Sequence, residues 1–234
     1  MIGAPMHEGG RLRRLKDLRY GIFFGLLKSR ASGLRTLGTD CAWTIQPDGL
    51  GPDSVIYSAG VGRHISFEKA LVREYGCRVI LLDPSPTGRD TMRQPENLAA
   101  QLHFLPVGLA AMSGCQAFAL PENPDEGSFR RAEPGCGDAS FPCETLRDVM
   151  ERFGHTHIDL LKMDIEGFEY EVIDEILAER IPVRQLCVEY HHWMGTARSR
   201  TIAAVLKLRW AGFRLVHIHG WDHTYVRQGS AVWR

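Results

Sequence analysis

The sequence predicts an α/β domain: a seven-stranded, mainly parallel sheet with helices on both faces. Three observations carry this. Short β-rich runs alternate with longer stretches of helical period, the pattern of strand–helix–strand units. The chain has 234 residues, a length that suits one such domain. Glycines and carboxylates gather where the strand-like runs stop, the edge at which open α/β sheets bind ligands.

In chain order, Ser54–Ser58 reads as the first strand and Ile65–Tyr75 as a helix. Arg78–Asp83 is the second strand, and Pro84 and Pro86 end it and fix a loop. Leu102–Val107 is the third, and Cys115–Leu120 a short additional strand. Residues 121–142 hold seven glycines and prolines and read as a loop. Glu144–Phe153 is a helix, Ile158–Asp164 an apolar strand ending in a carboxylate, and Phe168–Leu177 a helix. Gln185–Tyr190 is a strand, Thr196–Trp210 a helix, and Phe213–His219 and Thr224–Arg227 complete the sheet. Residues 1–50 are set apart as an N-terminal helical segment ahead of a domain at 51–234.

Lys and Arg total 28 and Asp and Glu total 28, so the formal charge is zero. No global basic field is available to attract nucleic acid, and none is expected as a partner. Tyr20–Leu27 is apolar and follows Arg11, Arg13, Arg14, Lys16 and Arg19, far short of the ~18–20 residues a spanning helix needs. Residues 11–28 read as an amphipathic helix packed on the domain, with a weak signal peptide or peripheral membrane contact as the alternatives. Six cysteines form no C-x-x-C pair. Cys77 and Cys187 read as core, and Cys136 and Cys143 as exposed, in a cytoplasmic protein with free thiols.

The first strand runs into Ser58-Ala59-Gly60-Val61-Gly62-Arg63-His64. Gly60 and Gly62 permit a tight turn and close approach of a ligand at a helix start. A dinucleotide fingerprint wants a third glycine where Ile65 stands, which argues against a nicotinamide cofactor. Asp83 ends the second strand 21 residues after Gly62 and suits the hydroxyls of a ribose. Asp164, Glu166 and Glu169 place three carboxylates within six residues around Gly167, with Lys162 near enough to pair with one. Helix capping needs fewer acids than this, so a tuned carboxyl or a bound cation is the sharper reading.

At the fifth strand end, Glu189 and His191 share a face by alternation and His192 points away. With Asp164 they form either a general base or an oxygen/nitrogen metal site. A neutral histidine near its ordinary pKa of ~6.5 suits taking a proton from a hydroxyl. The alternative is a surface histidine pair beside Trp193. His217, His219, Trp221, Asp222 and His223 form a later polar-aromatic cluster, and Arg130 and Arg131 lie in the long loop.

The run Leu161-Lys162-Met163-Asp164-Ile165-Glu166-Gly167-Phe168-Glu169 resembles the "lKiDvEGaE" signature of FkbM-type methyltransferases. Glu144-Thr145-Leu146-Arg147-Asp148 and Val107-Gly108-Leu109-Ala110-Ala111-Met112-Ser113-Gly114 resemble the family's lead-in and middle segments. Tyr57–Gly62 with Ser66-Phe67-Glu68 resembles a methyltransferase-like subgroup of it. The resemblance covers roughly residues 54 to 227. It implies the Rossmann-like class I methyltransferase fold and S-adenosylmethionine as cofactor. It implies that Gly60 and Gly62 lie against the cofactor's methionine part, Asp83 at its ribose, Leu109 near its adenine and Asp164 at the site of transfer. Ser58 stands where the family usually has an acid facing the cofactor's amino group.

The expected activity is methyl transfer from S-adenosylmethionine to a hydroxyl of a small molecule or glycan. Asp164 and His191 stand near the chemistry, Glu189 orients the base, and Asp164, Glu189 and His191 are the candidate ligands of a divalent metal. A nicotinamide or nucleotide-sugar enzyme, and a non-catalytic cofactor-binding or membrane-surface module, are the alternatives.

Overall fold

The computed structural model describes residues 21–121, 123, 127–132, 135–191 and 198–229. Helix α1 occupies residues 21–27, followed by strands β1 (Arg35–Leu37) and β2 (Trp43–Ile45). Then come β3 (Val55–Ala59), α2 (Ser66–Tyr75), β4 (Arg78–Leu82), α3 (Pro86–Arg93), β5 (Leu102–Leu105), β6 (Gly108–Leu109), β7 (Gly114–Ala119), β8 (Arg130–Arg131) and β9 (Ala139–Glu144). The chain closes with α4 (Leu146–Phe153), β10 (Leu160–Met163), α5 (Glu169–Ala178), β11 (Gln185–Glu189), α6 (Arg198–Trp210), β12 (Phe213–His219) and β13 (Asp222–Arg227).

A seven-stranded sheet has the order β12-β13-β11-β10-β3-β4-β5. Neighbours from β11 to β5 pair in parallel, whereas β13 is antiparallel to both β11 and β12. The expected mixed, mainly parallel α/β sheet is therefore present. Its central strands β3, β4, β10 and β11 are mostly apolar because both faces are covered. Successive residues alternate between two cores. Tyr57, Ile80, Leu82, Leu161, Met163, Leu186 and Val188 pack with Leu146, Ile173 and Leu208 from α4, α5 and α6. Ile56, Val79, Leu81, Leu160 and Cys187 pack on the other face with Phe67 and Leu71 of α2 and with Leu37, Trp43 and Ile45.

Four sequence expectations are corrected. The segment before residue 50 is helical only at 21–27 among the described residues, since β1 and β2 form an antiparallel pair that covers the second core. Pro86 does not sit in a loop: it occupies the first turn of α3, where its missing N–H costs nothing, and the Ser85 hydroxyl caps the helix by accepting from Gly88 N–H at 3.0 Å. Residues 121–142 are not all loop, because β8 and β9 join β7 and β6 in a second sheet of order β6-β9-β7-β8. Pro142 is tolerated there because β6 pairs only with Cys143 and Glu144, so the proline's own β6-facing side carries no ladder bond. Cys143 is buried and Cys136 exposed, and all six cysteines are free thiols.

Phe24 of α1 is buried against the ring of His223 at 5.1 Å, and Ser29 N–H donates to Leu215 carbonyl. The described end of the basic-apolar segment is thus packed on the domain. Residues 11–20 lie outside the described residues. Among those described, no helix is long and apolar enough to cross a membrane.

Candidate active site

The strand order reverses between β3 and β10, whose following segments diverge and leave a crevice at their carboxyl ends. The two segments touch at their origin. Asp164 N–H donates to Ala59 carbonyl at 3.0 Å, and Gly60 N–H to Leu82 carbonyl at 2.9 Å. Gly60 has φ 88°, and a Cβ placed on it would lie 1.8 Å from the Asp164 carbonyl oxygen. Only glycine meets both demands.

The crevice is a cleft lined by Gly60, Gly62, Asp83 and Leu109 on one side and Asp164 and Glu166 on the other. Gly108 and Phe118 of the second sheet, with Gly127, Ser128 and Phe129, close its far wall. Five sequence-predicted residues (Gly60, Gly62, Asp83, Leu109 and Asp164) therefore meet in one cavity.

Ser58 does not join them. Alternation turns it to the second face, where it is fully buried and its hydroxyl donates to Glu68 on α2. Lys162, its neighbour across the ladder, faces the same way. The buried Lys162 ammonium donates to Gly60 carbonyl, lies 3.6 Å from Asp164 Oδ2 and sits 5.9 Å from the Trp43 ring centre. The expected pairing of Lys162 with an acid is thus made with Asp164, and the same amine holds the glycine turn from beneath. Burial pushes the Glu68 carboxyl upward, against the opposing pull of Lys162 and Ser58.

Asp83 lines the cleft, but its carboxylate is engaged within the protein. Oδ2 accepts from Val61 N–H at 2.9 Å and Gly62 N–H at 3.0 Å. Oδ1 accepts from Ser85 N–H at 2.8 Å and from the Ser85 hydroxyl at 2.6 Å. These four bonds use the roughly four lone-pair sites of a carboxylate. In this structure Asp83 clamps the glycine turn to the start of α3 and offers no open acceptor to a ribose.

At the other end of the cleft, His191 is 3% exposed and gathers the acids. Its Nδ1 is 2.7 Å from Glu169 Oε1. Glu169 is fully buried at the start of α5 and also accepts from the N–H groups of Ile165 and Gly167 at 3.2 and 3.1 Å. The Nε2 side faces Glu166 Oε2 at 3.5 Å, Asp164 Oδ1 at 3.6 Å and Glu189 Oε1 at 4.0 Å. Asp164, Glu189 and His191 are therefore brought together as the strand ends suggested. Glu166, in left-handed backbone at φ 53°, joins them, and Asp222 stands opposite Glu189 across the β11–β13 ladder. His192 and Trp193 lie outside the described residues.

The electrostatics reverse one expectation. Burial alone lowers the His191 pKa, but the Glu169 hydrogen bond and charge, with Glu166 and Asp164, outweigh it and push it up to about 10. The imidazole is thus a cation at neutral pH, not the neutral base that its ordinary pKa suggests. Burial, then the Asp164 charge, raise Glu189 to about 8, with His191 pulling the other way. Burial and Asp164 raise Asp222 to about 6. Burial likewise raises Glu166.

The remaining candidates lie elsewhere. His223 is buried between Phe24 and Tyr190, and His219 is exposed. Arg131 pairs with Glu171 at 2.6 Å and stacks 5.5 Å from the Phe168 ring, which makes it a brace for the second sheet.

The family model of the methyltransferase FkbM domain matches residues 58–215, from the end of β3 into β12. The chain belongs to that family. Its glycine turn, acid cluster and cleft all fall within the matched span. Two curated relatives are the probable methyltransferase-like protein 24 of Rattus norvegicus, 31% identical over 85 residues, and of Homo sapiens, 32% identical over 83. Those alignments cover 32% and 31% of this chain, and the chain spans about a quarter (23%) of the length of each relative. Among solved structures, the fibrillarin pre-rRNA processing protein of Methanococcus jannaschii superposes with a TM-score of 0.42 at 9% identity, over 86% of this chain and 85% of that one. Aeropyrum pernix fibrillarin, solved with natively bound S-adenosyl-L-methionine, gives 0.41 at 11%, over 85% and 83%.

Proposed function

We propose that this chain, with the class I methyltransferase arrangement of its sheet, is an S-adenosylmethionine-dependent O-methyltransferase acting on a hydroxyl of a small molecule or glycan. One observation carries the reading: a single cleft at the strand-order switch joins the glycine turn to the acid–histidine cluster. The cleft fits the cofactor along its glycine turn, since a Cβ on Gly62 would stand in open space and its absence lets backbone approach a ligand closely. Gly60, Gly62 and Leu109 would hold it, with Asp83 acting through the turn it clamps. Bound there, S-adenosylmethionine supplies an electrophilic methyl group. The chain's part is alignment, exclusion of water by Phe118, Phe129 and Phe168, and removal of a hydroxyl proton. The Asp164 carboxylate reaches the cleft and is the acceptor for that proton; the cationic His191 fixes its position.

Asp164→Asn is expected to lower turnover roughly 10²- to 10⁴-fold, the usual worth of a positioned proton acceptor. Its melting temperature should also fall, because the amide removes a negative charge from beside the buried Lys162 and His191, so turnover is compared on protein shown to be folded. S-adenosylhomocysteine release with a panel of hydroxyl acceptors measures the rate. Equal turnover by a folded Asp164→Asn protein removes Asp164 from the chemistry.

A further inference from the structure

We propose that Asp164, Glu166 and His191 bind a divalent transition-metal ion at the inner end of the cleft. The three residues offer one nitrogen and two oxygens, all within 4.8 Å of one another. His191 Nε2 lies 3.6 Å from Asp164 Oδ1 and 3.5 Å from Glu166 Oε2. Ligands bonded at ~2.0–2.2 Å in tetrahedral or octahedral geometry stand about 3.0–3.6 Å apart, so the spacing needs little adjustment.

Two further features point at a ligand. Glu166 Oε2 is shielded from solvent and makes no hydrogen bond, its ion-pair contact with His191 Nε2 at 3.5 Å being too long for one, which is costly for a carboxylate oxygen. His191, 3% exposed, has its ring fixed by Glu169 on Nδ1 so that Nε2 is aimed into the group of acids, and a bound ion would displace the proton that Nε2 carries in the metal-free chain. A carboxylate orienting the far nitrogen of a histidine is the outer-shell arrangement that metal-ligating histidines use. Glu189 Oε1, 4.0 Å from Nε2, is within reach as a further ligand. Mixed imidazole and carboxylate donors suit a first-row divalent ion such as Mn²⁺, Zn²⁺ or Fe²⁺. Three protein ligands leave positions open toward the cleft that Asp164 and Glu166 line. The use of those positions by a hydroxyl oxygen rests on the proposed methyl transfer; the metal site itself does not.

The test uses Mn²⁺ alone on the full chain, without cofactor or acceptor. Calorimetry and electron paramagnetic resonance should show one bound ion per chain with nitrogen coupling from the His191 imidazole. Glu166→Gln, nearly the same size, should weaken binding more than about tenfold while melting close to the wild type. No saturable binding, a bound ion without nitrogen coupling, or equal affinity in a folded Glu166→Gln protein would overturn the site. If that variant does not fold, nitrogen coupling in the wild type decides alone. A separate titration with S-adenosylmethionine shows whether the cofactor reading fails, and neither result determines the other.

Discussion

Gly60→Ala is expected to abolish cofactor binding and to destabilise the fold by roughly 2–5 kcal/mol. Two costs add at this position. The residue sits at φ 88°, where a side chain is strained, and the new Cβ would lie 1.8 Å from the Asp164 carbonyl oxygen. That oxygen belongs to the backbone at the end of β10 and cannot rotate away. Either the turn after β3 or the start of the acid motif must shift, and both walls of the cleft move with it. Gly62→Ala is the control. Gly62 also has positive φ, 56°, but its Cβ would meet nothing within 4 Å. Its cost to stability is that of the left-handed backbone, roughly 1–2 kcal/mol. Thermal melts and calorimetric titration of both variants compare the two. A Gly60→Ala protein as stable as Gly62→Ala would mean that the contact between the two segments does not shape the site.

Asp83→Ala is expected to cost a similar amount, roughly 3–5 kcal/mol, for a different reason. It leaves Val61 N–H, Gly62 N–H, Ser85 N–H and the Ser85 hydroxyl without their shared acceptor. Hydrogen bonds to a charged group are worth about 1.5–3 kcal/mol each, and bonds to one carboxylate are not additive. For a chain of this length the loss corresponds to a fall of roughly 10 °C in melting temperature. Cofactor affinity should fall with stability, because the carboxylate shapes the turn that the cofactor meets. Asp83→Asn keeps one acceptor oxygen and should lose less of both. Unchanged melting with selective loss of binding would instead return Asp83 to the ribose-holding role that its position after β4 suggested.

The sheet was legible because its strands carry their evidence locally. A run such as Leu160–Met163, apolar at every position but Lys162, has few other places to go than between two layers of helices. The strand-end rule points to Gly60, Asp83, Asp164 and Glu189 from the sequence alone. What stayed hidden depends on partners distant in sequence. Glu169 reads as a helix-start acid, and only the approach of His191, 22 residues on, makes it the group that orients an imidazole. Asp222 gains its place from antiparallel pairing with Glu189. Four carboxylates around one ring reverse the expected protonation of His191, and their number could not be counted from spacing. Ser58 reads as a cleft residue from its place at the strand end, but the parity of β3, set by which residue faces α2, turns it to Glu68. Pro86 and Pro142 read as breaks because proline's local effect is certain, whereas a first helical turn or a strand position paired on one side alone is a tertiary circumstance.

The central claim is that the cleft at the β3–β10 switch takes an adenosyl-methionine cofactor. Calorimetric titration of the full chain with S-adenosylmethionine, S-adenosylhomocysteine and NAD tests it most directly. The account predicts one saturable site for each adenosyl compound, none for NAD, and loss of that site in Gly60→Ala. Binding of NAD in place of the adenosyl compounds, or no adenosyl binding to the folded wild-type chain, would contradict it.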